Sequence, residues 1–258
     1  NELDELKRAY AKPRKTVIEN AQEAVYKEKE LEEMEVVFLM DRFGYAKTVD
    51  MSTYERNKEA ADAENKYIFP CKNTGKICLF TNTGQLPTIM VLDLPFGKFR
   101  DKGVPIDNVS NFSQGKEEIV YMTSQSELNL YQVIFVTAQP MVKIVDGGEF
   151  DVSKRTVAAT KLNDGDYVVS VTSLRDQRNL VLQSKEGFFL RFPIEEIPEK
   201  KKAAIGVRGM KLNEKDIIES VYYTKNAVES SIEYKGKKVI LNSLKPGKRD
   251  SKGTKIRV

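Results

Sequence analysis

Histidine and tryptophan are absent from this chain of 258 residues, and cysteine occurs only twice, as Cys71 and Cys78. Without histidine there is no Ser-His-Asp or Cys-His chemistry, and the soft ligands are too few for a zinc site. No clustered aspartate spacing of the calcium-loop kind is present either. Cys78 falls inside the apolar run KICLF, so the two cysteines are expected to pack as small hydrophobes rather than to form a bridge. No apolar run approaches the roughly 20 residues of a membrane span. The opening residues NELDELKRAY are charged and lack the apolar stretch of a signal peptide. The expectation is a cytoplasmic chain with no membrane partner.

Charge is plentiful and unevenly placed. The net charge is +4, but residues 1–33 carry −2 while residues 235–258 carry +8, with Asp250 the single acid there. The body between is close to neutral. If it grips a polyanion, its cations must be gathered on one side.

The chain also repeats itself. Lys161-Leu162-Asn163, Asp166, Ser170 and Val171 recur 50 residues later as Lys211-Leu212-Asn213, Asp216, Ser220 and Val221. Short β-branched and aromatic runs recur as well: VVFLM (36–40), KICLF (76–80), VIFVT (133–137) and LVLQS (180–184). Each is followed by a turn and a second strand, with turn positions at Gly44, Gly84, Pro140 and Gly187. Their spacing of 40, 56 and 47 residues is that of propeller-like repeats, in which each unit hides its apolar face against its neighbours. SIEYKGKKVILNSL suggests a fifth, partial unit, with Lys235-Gly236-Lys237 as its turn. The fold expected is therefore all-β, a propeller-like disc of about five four-stranded blades over residues 34–244. A helical lead-in is expected over 1–33, where Thr16 and Glu19 form a capping-box pattern. Residues 245–258 have few apolar groups and are expected to form a basic mobile tail.

In order along the chain, KPRKTVI (12–18), VVFLMDRFGYAKTVDMSTY (36–54) and AAIGVRGMKLNEKD (203–216) resemble segments of one family. That family is the C-terminal domain of the A subunit of bacterial type IIA topoisomerases, DNA gyrase and topoisomerase IV. The resemblance implies a β-pinwheel, whose neighbouring blades exchange strands and whose basic rim bends duplex DNA. It also implies a fragment that is not an enzyme alone, because the cleavage tyrosine, the metal-binding carboxylates and the ATPase lie outside it. No cofactor is expected here, ATP and Mg being needed elsewhere in the parent enzyme. The implied partners are double-stranded DNA, the ATPase B subunit, and a second copy of the A subunit, on the chromosome. Gyrase A subunits carry a basic, glycine-rich heptapeptide after the first-blade ending. Here that place reads ERNKEAADAENKY (55–67), which favours the topoisomerase IV type.

Bending DNA needs phosphate neutralisation rather than base reading. The candidate contacts are Arg42 and Lys47 in the first unit, then Lys98, Arg100 and Lys102 in the second. Lys143, Lys154 and Arg155 serve the third, and Arg191, Lys200, Lys201, Lys202 and Arg208 the fourth. Any one of them could equally be a solvated surface charge. Lys161 and Lys211 are expected to be structural, Tyr45, Phe188 and Phe189 to pack in the core, and Asp166 and Asp216 to cap turns. Two other classes stay open: a scaffold for protein docking, and a propeller enzyme with carboxylates converging in a funnel.

Overall fold

The computed structural model describes residues 30–257. Contacts divide the chain between Glu32 and Glu33. Nearly all of the lead-in expected to be helical, with its Thr16–Glu19 box, lies outside the described residues. Its last residues, 30–33, are irregular. No described helix is long and apolar enough to cross a membrane.

From Glu35 onward, the alternating and wholly apolar runs form β-hairpins as their patterning dictates. The hairpins are Glu35–Asp41 with Tyr45–Asp50, Lys76–Thr81 with Gln85–Met90, Gln132–Thr137 with Met141–Asp146, and Asn179–Ser184 with Phe188–Pro193. Gly44, Gly84 and Gly187 turn the first, second and fourth with φ of 85°, 79° and 88°, a region costly for any residue with a Cβ. A third strand joins the first strand of each hairpin: Asn65–Lys72, Ile119–Ser124, Val168–Leu174 and Ile218–Thr224. The second strand of each hairpin takes a short fourth strand from the following unit: Val104–Pro105, Thr156–Ala158, Val207–Arg208 and Thr254–Lys255. Four four-stranded sheets result, each completed by a strand from the next unit. This is the strand exchange that the family resemblance implies.

Two expectations need correcting. The fifth unit is a two-stranded hairpin, Ser231–Tyr234 with Lys237–Ile240, and not a full blade. The basic end is not a tail. Pro246 bridges Arg191, Ser251 bridges Met210, and Thr254–Lys255 complete the fourth sheet. A composition poor in apolar groups concealed this, because the segment is held by backbone pairing and by glycine packing rather than by a core of its own.

The core lies between sheets. Alternate residues of each first strand face opposite neighbours. Ile77 and Leu79 pack with Val36, Phe38 and Met40 of the first sheet, while Cys78 and Phe80 pack with Val133 and Phe135 of the third. Ile134 and Val136 then meet Leu180 and Leu182. The stack ends differently on its two sides. Val37, Leu39 and Val49 are covered by Met51–Arg56 and Lys58–Glu64, two helices formed where the sequence lacks the glycine-rich heptapeptide. Val181 and Phe189 are covered by Tyr234 and Val239 of the last hairpin. Both cysteines are buried and unbridged, as expected.

Candidate nucleic-acid interface

The exchange of strands decides where charge can gather. Third strands of successive sheets lie against one another. Tyr121 Oη meets Ser173 Oγ at 2.8 Å and Tyr223 Oη meets Ser170 Oγ at 3.2 Å. The sheet order puts the donated strands on the opposite edge. The segment that brings each donated strand in therefore runs along that same edge in every sheet.

In three sheets this segment bulges into a loop of one design. Phe96, Glu199 and Pro246 make parallel bridges to Thr48, Ile144 and Arg191. Loops 97–103, 200–206 and 247–253 follow, each closed by an N–H···O bond, from Asp101 to Lys98, Ala204 to Lys201 and Ser251 to Lys248. Each ends on a glycine pressed against the sheet. A Cβ on Gly103, Gly206 or Gly253 would lie 2.7, 2.6 or 2.5 Å from the backbone oxygen of Ala46, Val142 or Phe189. Each loop also carries three cations: Lys98, Arg100 and Lys102; Lys200, Lys201 and Lys202; Lys248, Arg249 and Lys252. The second sheet has no such loop. The Arg155 carbonyl accepts the Thr88 N–H, and Thr156 pairs at once with Pro87.

The expected contacts separate into two groups. Lys98, Arg100, Lys102, Lys154, Arg155 and Lys200 are exposed on the donated-strand edge, as is Lys201, which is paired with Glu149 at 3.1 Å, and Arg42 is exposed at the first hairpin turn. The others are occupied. Lys143 is 1% exposed, which contradicts a role in touching DNA. Its Nζ donates to the carbonyls of Lys201, Lys202 and Ala204 at 3.3, 2.9 and 2.7 Å and lies 5.2 Å from the centre of the Phe135 ring. Burial lowers its pKa to about 8, against the smaller opposing pull of Glu149. Lys47, at the equivalent place in the first sheet, donates to the Phe99 carbonyl and to that of Asp101 at 2.9 Å. These two lysines hold the loops from behind. Arg191 Nη1 donates to the Asn242 carbonyl at 2.5 Å. Lys202 Nζ donates to the Glu149 carbonyl at 2.9 Å. Arg208 grips Asp250 through Nε and Nη2 at 2.5 and 3.1 Å, which raises the guanidinium pKa and lowers that of the carboxyl.

Several cations on this edge lie outside the expected set. Lys248, Lys252 and Lys255 are exposed and fixed in the fold. Their signal was in the sequence: Gly97-Lys98-x-x-x-Lys102-Gly103 recurs as Gly247-Lys248-x-x-x-Lys252-Gly253. Lys161 and Lys211, expected to be structural, are also exposed. Tyr45 is 47% exposed rather than packed in the core, whereas Phe189 is buried. Asp166 and Asp216 do cap turns. Asp166 accepts the N–H of Gln139 and of Tyr167, and Asp216 those of Glu186 and Ile217. Among the described residues no group of His, Cys, Asp and Glu is placed to hold a metal ion.

Comparison with known proteins agrees with this architecture. The family model described as "DNA gyrase C-terminal domain, beta-propeller" matches residues 131–175 and 178–225, the third and fourth units. The DNA gyrase A subunit of Helicobacter pylori (strain ATCC 700392 / 26695) is 29% identical over 229 residues, covering 84% of this chain and 28% of that protein. The DNA gyrase A subunit of Rickettsia bellii is 26% identical over 236 residues, covering 85% and 26%. The chain thus spans less than a third of the length of these relatives. Among solved structures, the C-terminal domain of DNA topoisomerase IV superposes with a TM-score of 0.76 at 24% identity, covering 88% of this chain and 73% of that one. The E. coli ParC C-terminal domain gives 0.69 at 16% identity, covering 86% and 94%.

Proposed function

We propose that the chain is a C-terminal domain of a type IIA topoisomerase A subunit that binds and bends duplex DNA without catalysing a reaction itself. It would present the duplex to the ATP-dependent strand-passage core of a topoisomerase, formed with a B subunit plus a second copy of the A subunit. The observation that carries this reading is the repeated three-cation loop on one edge of the first, third and fourth sheets. Phosphates spaced along a duplex can meet such loops in turn, and the duplex must curve to reach them all. The gyrase relatives and the topoisomerase IV structural neighbour leave both parent types in view; the missing glycine-rich heptapeptide favours topoisomerase IV.

Binding should be independent of sequence and steep in salt. With about six phosphates neutralised, log K should fall against log salt with a slope near −5. Fluorescence anisotropy of a labelled mixed-sequence duplex measures this directly. A flat response between low and moderate salt would remove the DNA reading and favour a protein-docking scaffold. Decatenation against ATP-dependent negative supercoiling, assayed with the two-subunit enzyme, separates the parent types.

A further inference from the structure

The three loops share a design but differ in what occupies them. In the third sheet, Glu149 Oε2 accepts the Lys202 N–H at 3.0 Å and Oε1 pairs with Lys201 Nζ at 3.1 Å. In the fourth, Glu196 Oε2 accepts the Arg249 N–H at 2.6 Å, and the Glu196 carbonyl accepts Arg249 Nε at 3.0 Å. The two sites correspond residue for residue. Glu149 and Glu196 each lie three positions past the second hairpin strand, which ends at Asp146 and at Pro193. Lys202 and Arg249 each lie three positions past the bridging residue.

In the first sheet the second strand ends at Asp50, so the same position is Thr53. It carries no charge. Its hydroxyl lies 3.5 Å from Arg56 Nη2 and its N–H donates to the Asp50 carboxylate at 2.6 Å, so neither engages the loop. The loop residue equivalent to Lys202 is Phe99, whose N–H has no acceptor among the described residues. Lys98, Arg100 and Lys102 form no ion pair with any described residue. The one acid within this loop, Asp101, accepts the Lys98 N–H at 2.8 Å and engages none of the three cationic side chains.

A carboxylate and a phosphate are both oxyanions, and they compete for the same N–H groups and cations. We propose that this one repeated position sets how strongly each loop takes a DNA phosphate. Where it is Glu149 or Glu196, an internal carboxylate occupies the loop and weakens it; where it is Thr53, loop 97–103 is the strongest phosphate site on the edge. The inference rests on the proposed DNA-binding function and ranks the loops within it. The ranking turns not on the number of cations, three in every loop, but on which cations and N–H groups are already taken.

The test compares Thr53→Glu, its uncharged size control Thr53→Gln, and Glu149→Gln, which keeps an acceptor for the Lys202 N–H. Binding of the whole chain to a labelled mixed-sequence duplex is measured across a salt series, with circular dichroism to verify folding. Thr53→Glu should lower affinity by about twofold to fivefold at low salt, the worth of an exposed ion pair, with Thr53→Gln unchanged. The slope of log K against log salt should also become shallower by about 0.9, one phosphate contact. Glu149→Gln should raise affinity and steepen the slope. If Thr53→Glu behaves as Thr53→Gln does, or Glu149→Gln leaves affinity unchanged, the ranking is overturned while DNA binding stands. If the unaltered chain shows no salt-dependent binding, the proposed function falls and this inference with it.

Discussion

Lys143 shows how a residue's type can point one way and its surroundings another. A lysine in the third hairpin reads from sequence as a rim cation, but its strand partner is Phe135 and its chain runs inward under loop 200–206. There its ammonium gathers three carbonyls of that loop, of which Lys201 also accepts the loop-closing Ala204 N–H and Ala204 also accepts the Thr160 hydroxyl. Replacing it with methionine keeps the aliphatic stem and strips those carbonyls of this donor. The expected loss is about 2 kcal/mol, read by urea unfolding, as for other buried groups left unpaired. Its titration carries a sign. The folded pKa of about 8 lies below the ordinary 10.5, so between those values the unfolded chain holds a proton that the folded chain has released. Stability then rises with pH across that window. The advantage of wild type over Lys143→Met should grow from pH 8 toward pH 10. An advantage that stays constant would mean the ammonium is better solvated than its burial indicates.

At the scale of elements, the hairpins were legible and the exchanged strands were not. Runs such as KICLF and VIFVT announce themselves because both faces of each first strand are buried between sheets. A donated strand of two residues has no periodicity to read. Its identity lies in the glycine before it and in a partner strand tens of residues earlier. The same limit hid the status of residues 245–257 and, with it, one of the three cationic loops. Gly253 is a direct test of this element. It has φ of 78°, and a Cβ there would sit 2.5 Å from the Phe189 oxygen. Gly253→Ala should therefore cost about 1–3 kcal/mol through backbone strain and lost pairing of Thr254–Lys255. Truncation after Leu244 should cost more, since it also removes Ile256 from the cluster around Val181, Phe189 and Tyr234. Thermal melts followed by circular dichroism measure both. Melting points equal to that of the intact chain would return the segment to the status of a tail.

At the scale of the whole β-domain, the spacing of cations along the donated-strand edge matters more than their number. The first, third and fourth sheets each present a three-cation loop, and the second presents only Lys154 and Arg155 on a short connection. A duplex following this edge would meet a weakly charged stretch between the first and third sheets. The gap can be filled. Arg155 occupies the place of Pro95, since both carbonyls accept an N–H from the second strand, of Thr88 and of Thr48. Inserting the residues of loop 97–103 between Arg155 and Thr156 would build the missing loop on an exposed connection, where added length costs little. If DNA runs along this edge, the added cations meet phosphates already passing nearby. The salt slope should then steepen by up to about 2.7, three contacts at 0.9 each, and affinity at low salt should rise. An insertion that folds but leaves the slope unchanged would place the DNA elsewhere. The path would then have to be sought on the third-strand side, where Tyr121 and Tyr223 tie neighbouring sheets together.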